Sequence, residues 1–490
     1  MKDIALLDTT GIVFMSAYLV SLLLIGIAGR LARKEDSLAD FYLSGRGMGL
    51  FVLFLTLYAT QYSGNTLIGM AGKSYRQGYT FLVSVTFMMS VIGAYLIYAP
   101  KLHRLSKKQK YITIGDYIEH RYGSPVLTTF ITIVCIITVG SYILTNLKAI
   151  GYIVEATTGG RVTFVQGIIT LSLIMVIYET LGGMRSVAWT DAIQGILLIA
   201  GCLFIFCGIE YQYGGISAVA EKLISSHSDM WHPPDFAQKR IWLSTIIIIF
   251  FGISIYPQAI QRIYAAKDAK TLKRSFQIMI FMPFVTTFFL VIAGMVGMNR
   301  FPGLDKRGSE EITMLLLNDM AMYIPGAKYF IILFLSAAVA AIMSTVDSAL
   351  LAISSLFTQD IYRRIWPTAS QSHLTGTGKI FSWSIMACMA YFATSLPQTI
   401  WRLTEMKLEV LCQVAPAIFL GLHFKSIRGI TILGGLSIGI SVTLFIMFSE
   451  NMGVPIVPKP WGIHAGVWGL IANFLIVGYF SYFKRSPVVC

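Results

Sequence analysis

The sequence predicts an all-α polytopic membrane protein with about thirteen transmembrane helices. Three observations carry that reading. Of 490 residues, 56% are hydrophobic and only 13% are charged, about half the charged share of a soluble domain. The apolar residues fall in runs of about 20, the length that crosses a bilayer as a helix. The runs show no alternation of polar and apolar side chains, which excludes a transmembrane β-barrel.

Runs of spanning length lie near residues 11–29, 49–71, 80–99, 126–149, 162–182, 189–208, 241–261, 276–298, 329–356, 379–397, 407–424, 428–448 and 463–483. The first follows the short polar start Met1-Lys2-Asp3 and continues into a charged stop. It reads as a retained span, not a cleaved signal. Aromatic residues, eight Trp among them, suit the two membrane interfaces. The connections 209–240 and 299–327 are long enough for short surface helices, and neither would fold alone. The chain therefore reads as one transmembrane domain, 1–490.

The formal net charge is +14, yet its distribution points to a bilayer and not to nucleic acid. The basic residues sit in short loops between apolar runs. With the N-terminus outside, most of the 38 Lys and Arg fall in inner loops, as the positive-inside rule requires. They include Arg30, Arg33, Lys34, Arg46, the group from Lys101 to Arg121, Arg262 and Lys484-Arg485. An odd number of spans then places the C-terminus inside. The membrane is a plasma membrane or a bacterial inner membrane. The six Cys are scattered, with no CxxC, and read as apolar thiols. The seven His are dispersed, so metal or haem ligation is not expected. No HExxH, GxSxG or Walker loop occurs, so the sequence does not read as an enzyme. Oligomeric state is left open.

The run 329–356 holds Ala341-Ile342-Met343-Ser344-Thr345-Val346-Asp347-Ser348. Ala341, Ser344, Thr345 and Ser348 are spaced i, i+3, i+4 and i+7 and share one helix face. A carboxylate at a helix centre costs about 2.5–3.5 kcal/mol. It is tolerated where it meets a partner, a cavity or an ion. A cation on this face is the sharper reading; hydroxyls bonding between helices are the plainer one.

Two other spans are interrupted. The second reads Leu57-Tyr58-Ala59-Thr60-Gln61-Tyr62-Ser63-Gly64-Asn65-Thr66, and the seventh reads Gly252-Ile253-Ser254-Ile255-Tyr256-Pro257-Gln258. They are five spans apart. Corresponding broken helices in two halves point to a transporter binding site, because a break frees carbonyls for a cation. A Pro kink with small-residue packing is the alternative. Asp191 opens the sixth span, with Gln194 one turn on; the alternative there is a carboxylate at a helix N-terminus. Lys148, in the fourth span after Tyr142, Thr145 and Asn146, either snorkels outward or faces a solute carboxylate. Gln413 and Pro416 put a polar group and a kink in the eleventh span.

With Gly182-Gly183…Thr190-Asp191…Gln194, Ala341…Met343-Ser344-Thr345…Asp347-Ser348, Gly45…Ala59…Ser63…Gly69 and Gln261-Arg262…Ala265-Ala266-Lys267 on the page, the chain resembles the sodium/solute symporter family. That family includes bacterial proline, pantothenate, sialic acid and sugar symporters. The resemblance covers nearly the whole chain. It implies the leucine-transporter fold, a 5+5 inverted-repeat core. The repeats would be 49–208 and 241–424, with peripheral helices at 11–29 and 428–483. It also implies a main Na+ site from the carbonyls of Ala59, Tyr62 and Ala341 and the hydroxyls of Ser344 and Thr345. A second cation site, found in some members, would use Asp191, Ser344 and Ser348, with Asp347 at a position that is often Ser. Gln61 replaces an acidic residue of some proline-type members, which argues against proline as the solute.

The expectation is a sodium-coupled symporter that imports a small polar organic solute by alternating access. Tyr62, Asn65, Thr66, Thr145, Lys148, Tyr256, Gln258 and Gln413 would contact the solute at mid-membrane. Lys148 leans the solute toward a carboxylate, an amino acid or a vitamin acid. The rivals are a transporter-like sensor or accessory subunit, and a proton-coupled symporter.

Overall fold

The computed structural model describes residues 9–32, 35, 37–63, 65–226, 233–324, 326–396, 400–450 and 457–483. Arg33, Lys34, Lys484 and Arg485 of the topology argument lie outside them. The first helices are α1 (Thr9–Leu31), α2 (Leu38–Leu43), α3 (Leu50–Gln61), α4 (Ala71–Gln77), α5 (Val83–Gln109), α6 (Ile114–Tyr122), α7 (Pro125–Thr157) and α8 (Phe164–Tyr213). Next come α9 (Gly215–Ser226), α10 (Phe236–Ser254), α11 (Pro257–Ala265), α12 (Ala269–Met279), α13 (Met282–Val285), α14 (Thr287–Arg300), α15 (Lys306–Glu310) and α16 (Ile312–Tyr323). The last are α17 (Ala327–Leu356), α18 (Arg363–Ile365), α19 (Gln371–Ser395), α20 (Ile400–Leu411), α21 (Ala415–His423), α22 (Gly429–Phe448) and α23 (Ala465–Phe483). Among the described residues, nine helical stretches are long and apolar enough to cross a membrane.

Helix starts follow local chemistry. Thr113 and Asp116 form a capping box at α6, as Asp235 and Gln238 do at α10. Ser124 caps α7 with Pro125 in its first turn. The long connections do carry short helices: α9 in one, α15 and α16 in the other.

α8 contains two of the predicted spans. Its 50 residues would extend about 75 Å if straight, far beyond the roughly 30 Å of a hydrocarbon core. The chain turns back at Gly183, where φ is 61° and ψ is −155°. Only glycine adopts such a conformation readily. A Cβ there would also sit 2.7 Å from the Phe41 ring. The reversal is visible in the contacts. Tyr178 bonds Asp347 and Asp191 bonds Ser344. Those partners are three residues apart on α17, about 4.5 Å of helix rise, whereas 178 and 191 would be about 20 Å apart on a straight helix.

α17 is the central helix. Its apolar window is buried on every side, the mark of a helix with no lipid-facing stripe. It packs against α7 and α8, and α1 lies on the outside of α8. α22 and α23 form a pair of their own.

Both predicted interruptions are present. α3 stops at Gln61, and Tyr62 is extended at φ −108°, ψ 102°. The chain resumes as a π-helical segment, Asn65–Met70. α10 stops at Ser254 and α11 starts at Pro257, across Tyr256 at φ −52°, ψ 127°. Proline cannot donate to the preceding turn, so the ladder ends there. At the Lys- and Arg-rich end, the Met48 N–H donates to the Ala265 carbonyl at 3.1 Å and the Lys267 N–H donates to the Met48 carbonyl at 2.9 Å.

Candidate functional site

The break in α3 and the hydroxyl face of α17 meet. Because α3 stops at Gln61, the Ala59 carbonyl is released from the helical ladder. Thr345 Oγ1 lies 3.3 Å from that carbonyl and 2.9 Å from the Ala341 carbonyl. Ala59, Ala341 and Thr345 are fully buried. Freed carbonyls plus a hydroxyl are the donor set that transporters offer to Na+. Tyr62, at the break, is fully buried with its ring 4.8 Å from that of Tyr58.

Ser344 turns the other way and donates to Asp191 Oδ1. Asp191 Oδ2 accepts from Thr56 Oγ1 and, at 2.9 Å, from Arg262 Nη2. The guanidinium is itself held on all sides. Nε donates to Thr56 Oγ1 at 2.8 Å, Nη1 to the Gln258 carbonyl at 3.0 Å, and Nη2 also to Ser348 Oγ. One charged network thus ties α3, α8, α11 and α17 together. In the sequence Arg262 reads as an inner-loop charge. In the fold it fills the space beside Asp191 and Ser348 where the resemblance implied a second cation. Asp347 is not part of this network. It accepts from Tyr178, on the first limb of α8, because position 347 is turned about 60° from Ser344 and about 100° from Ser348 around the helix.

A cavity lies between the α3 break, α7, α10 and α20. Gln61, Ser63, Thr66, Tyr142, Tyr256 and Lys407 supply much of its lining, with Phe87, Ile248, Ile249 and Leu408 among the apolar walls. Of the predicted solute contacts, Thr66 and Tyr256 line it. Tyr62 and Gln258 are buried next to it in sequence without lining it. Three others are committed elsewhere. Thr145 Oγ1 bonds back to the Tyr142 carbonyl at 2.8 Å. Lys148 Nζ donates to the Leu396 carbonyl at 2.5 Å, just past the end of α19. Gln413 Nε2 donates to the Gly466 carbonyl at 2.8 Å and to Thr443 at 3.2 Å, so it docks α22 and α23. The Asn65 side chain lies outside the described residues.

Sequence reasoning missed Lys407. It is the first residue of the eleventh apolar run, where a Lys reads as an interfacial flank. A signal was available: Glu405 and Glu409 share one helix face and Lys407 lies opposite, so the lysine could not pair with either. Thr56 and Tyr178 gave no signal, since each looks like an ordinary polar residue of an apolar helix.

The sodium:solute symporter family matches residues 41–439. A sodium/pantothenate symporter of Haemophilus influenzae is 26% identical over 343 residues, 69% of either chain. The osmoregulated proline transporter OpuE of Bacillus subtilis is 25% identical over 485 residues, 97% of this chain and 95% of that one. Among solved structures, a Na+-coupled sialic acid symporter superposes with a TM-score of 0.80 at 19% identity, covering 98% of both chains. MhsT in complex with L-phenylalanine superposes at 0.53 with 13% identity. At those identities the likeness shows the fold, which is the leucine-transporter arrangement. The match to the family over most of its length, on a chain folded this way, makes this protein a member of the sodium:solute symporter family.

Proposed function

We propose that this chain imports a small polar organic solute by alternating access, taking one sodium ion inward with each solute molecule. The observation that carries this reading is the convergence of the Ala59 and Ala341 carbonyls on the Thr345 hydroxyl. Tyr62 and Ser344 complete the proposed ion site, Tyr62 through its carbonyl. A single ion is favoured because Arg262 already neutralises Asp191. The membrane potential adds about 2.3 kcal/mol per charge per 100 mV, so one ion supplies useful work.

The repeats of the reading are 49–208 and 241–424, with 11–29 and 428–483 peripheral. The N-terminus is outside and the C-terminus inside, in a plasma or bacterial inner membrane. The end that carries Lys101, Arg104, Lys107, Lys108 and Arg121 supports this orientation. The solute cavity is the one lined by Thr66, Tyr142 and Tyr256.

The test is uptake into proteoliposomes of carboxylates, amino acids, sugars and vitamins under an imposed gradient. Uptake should follow an inward sodium gradient, and Thr345→Ala should raise the half-saturating sodium concentration at least tenfold, about 1.4 kcal/mol. Uptake that follows a proton gradient and ignores sodium would overturn the reading.

A further inference from the structure

A lysine ammonium sits in the cavity with no carboxylate of the described residues paired to it. Lys407, on α20, is 3% exposed. Its Nζ is 3.5 Å from the centroid of the Tyr142 ring and 5.6 Å from that of Tyr256. It makes no hydrogen bond among the described residues. The nearest acids on its own helix are taken. Glu405 accepts from Trp401 Nε1 at 2.7 Å and from Lys459 Nζ at 2.8 Å. Glu409 accepts from His464 Nδ1 at 2.8 Å. Neither forms an ion pair with Lys407, which is two residues away and turned about 200° around the helix.

Ring faces attract an ammonium but accept none of its hydrogen bonds in the manner of an oxygen, so the donors of Lys407 stay available. A buried charge left in this condition is a strong call for a partner of opposite sign. Among its described lining residues the cavity has one carboxylate, Glu405, and that is already answered by Lys459 and Arg402. Its remaining polar lining includes the Gln61 amide and the Ser63 and Thr66 hydroxyls, against walls of Ile248, Ile249 and Leu408.

We propose that Lys407 is the seat for a carboxylate of the transported solute, gripped between Tyr142 and Tyr256, with the apolar body of the solute against Ile248, Ile249 and Leu408. This deepens the symport reading and rests on it. One cation and apolar walls select a monoanion over a dianion or a neutral sugar. The seat is also joined to the ion site. Tyr142, whose ring faces Lys407, donates its hydroxyl to the Thr60 carbonyl at 3.3 Å, one residue from Ala59. A carboxylate that settles Tyr142 therefore settles the α3 break, and the effect is reciprocal, since each ligand favours the other by the same factor.

The test is thermal unfolding of the purified protein in nanodiscs, in NaCl or KCl. The probes are acetate, pyruvate and pantothenate, set against acetamide, panthenol and D-glucose. In NaCl at least one acid should raise the unfolding midpoint, and the neutral probes should not. Lys407→Met should weaken that acid roughly ten- to hundredfold, the loss of one charged hydrogen bond, and Lys407→Arg should restore part of it. Sodium alone should stabilise the wild type and Lys407→Met alike, which shows that the variant is folded. A neutral probe acting as well as the acids, no response to any acid, or undiminished acid affinity in Lys407→Met overturns the seat. A wild type that sodium does not stabilise counts against the symport reading instead; the seat is then judged on acids against neutral probes in KCl.

Discussion

Arg262 Nη2 and Asp191 Oδ2 lie 2.9 Å apart, and neither side chain has any exposed surface. The pair is charge-neutral as a unit, so the membrane interior tolerates it. Removing one partner leaves the other charge buried and uncompensated, at a cost of about 3–5 kcal/mol. Asp191→Asn and Arg262→Gln should each lower the unfolding midpoint strongly, and the double variant should recover part of the loss. Two losses that simply add would show that the side chains do not act as a pair.

The same pair bears on ion count. With Asp191 answered by a guanidinium, sodium activation of uptake should follow a Hill coefficient near one. A coefficient near two would mean that Arg262 leaves and a second ion enters during the cycle.

Tyr178 donates to Asp347, whose other oxygen has no hydrogen-bond partner among the described residues. Tyr178→Phe strips a buried carboxyl of this donor and should destabilise by about 1–3 kcal/mol. It should leave sodium affinity unchanged, because Asp347 stands apart from the Thr345 face. Denaturation and sodium titration of the same variant separate the two effects.

Lys148 ties α7 to the Leu396 carbonyl. Lys148→Met should therefore lower thermal stability and leave the apparent KM for solute within about twofold. A tenfold rise in KM, about 1.4 kcal/mol, would return Lys148 to the solute site.

Gly183→Ala places a methyl group 2.7 Å from the Phe41 ring, on a residue whose φ is +61°. Little or no folded protein should be recovered from membranes, by size-exclusion profile. Substitution at Gly434, where an added Cβ meets nothing within 4 Å, is the matched control.

How legible was this protein in its sequence? The breaks at Tyr62 and Tyr256 were, because glycine, proline and polar residues interrupt an apolar run at corresponding places in the two halves. The face from Ala341 to Ser348 was, because helical spacing gathers it. The partners were not. Arg262 and Lys407 both flank apolar runs, where a basic residue ordinarily marks the membrane surface. Only the fold turns α11 and α20 inward and buries them. Lys148 misled for the converse reason: its depth in the run was right, but spacing along one helix says nothing of a carbonyl on another. Asp347 and Asp191 looked like one site because both are acidic and the first lies beside Ser348. On α17, Asp347 is turned about 60° from Ser344, the residue that meets Asp191.

The reversal at Gly183 has a mechanical consequence. It brings Tyr178 on one limb of α8 and Asp191 on the other against Asp347 and Ser344 of the same helix. α17 is thereby pinned at two points, one from each limb, like a shaft held between two collars. A slide of one residue along its axis, about 1.5 Å, would unseat both pins at once, and a rotation that relieved one would strain the other. The helix that carries Thr345 is thus a poor candidate for the moving part.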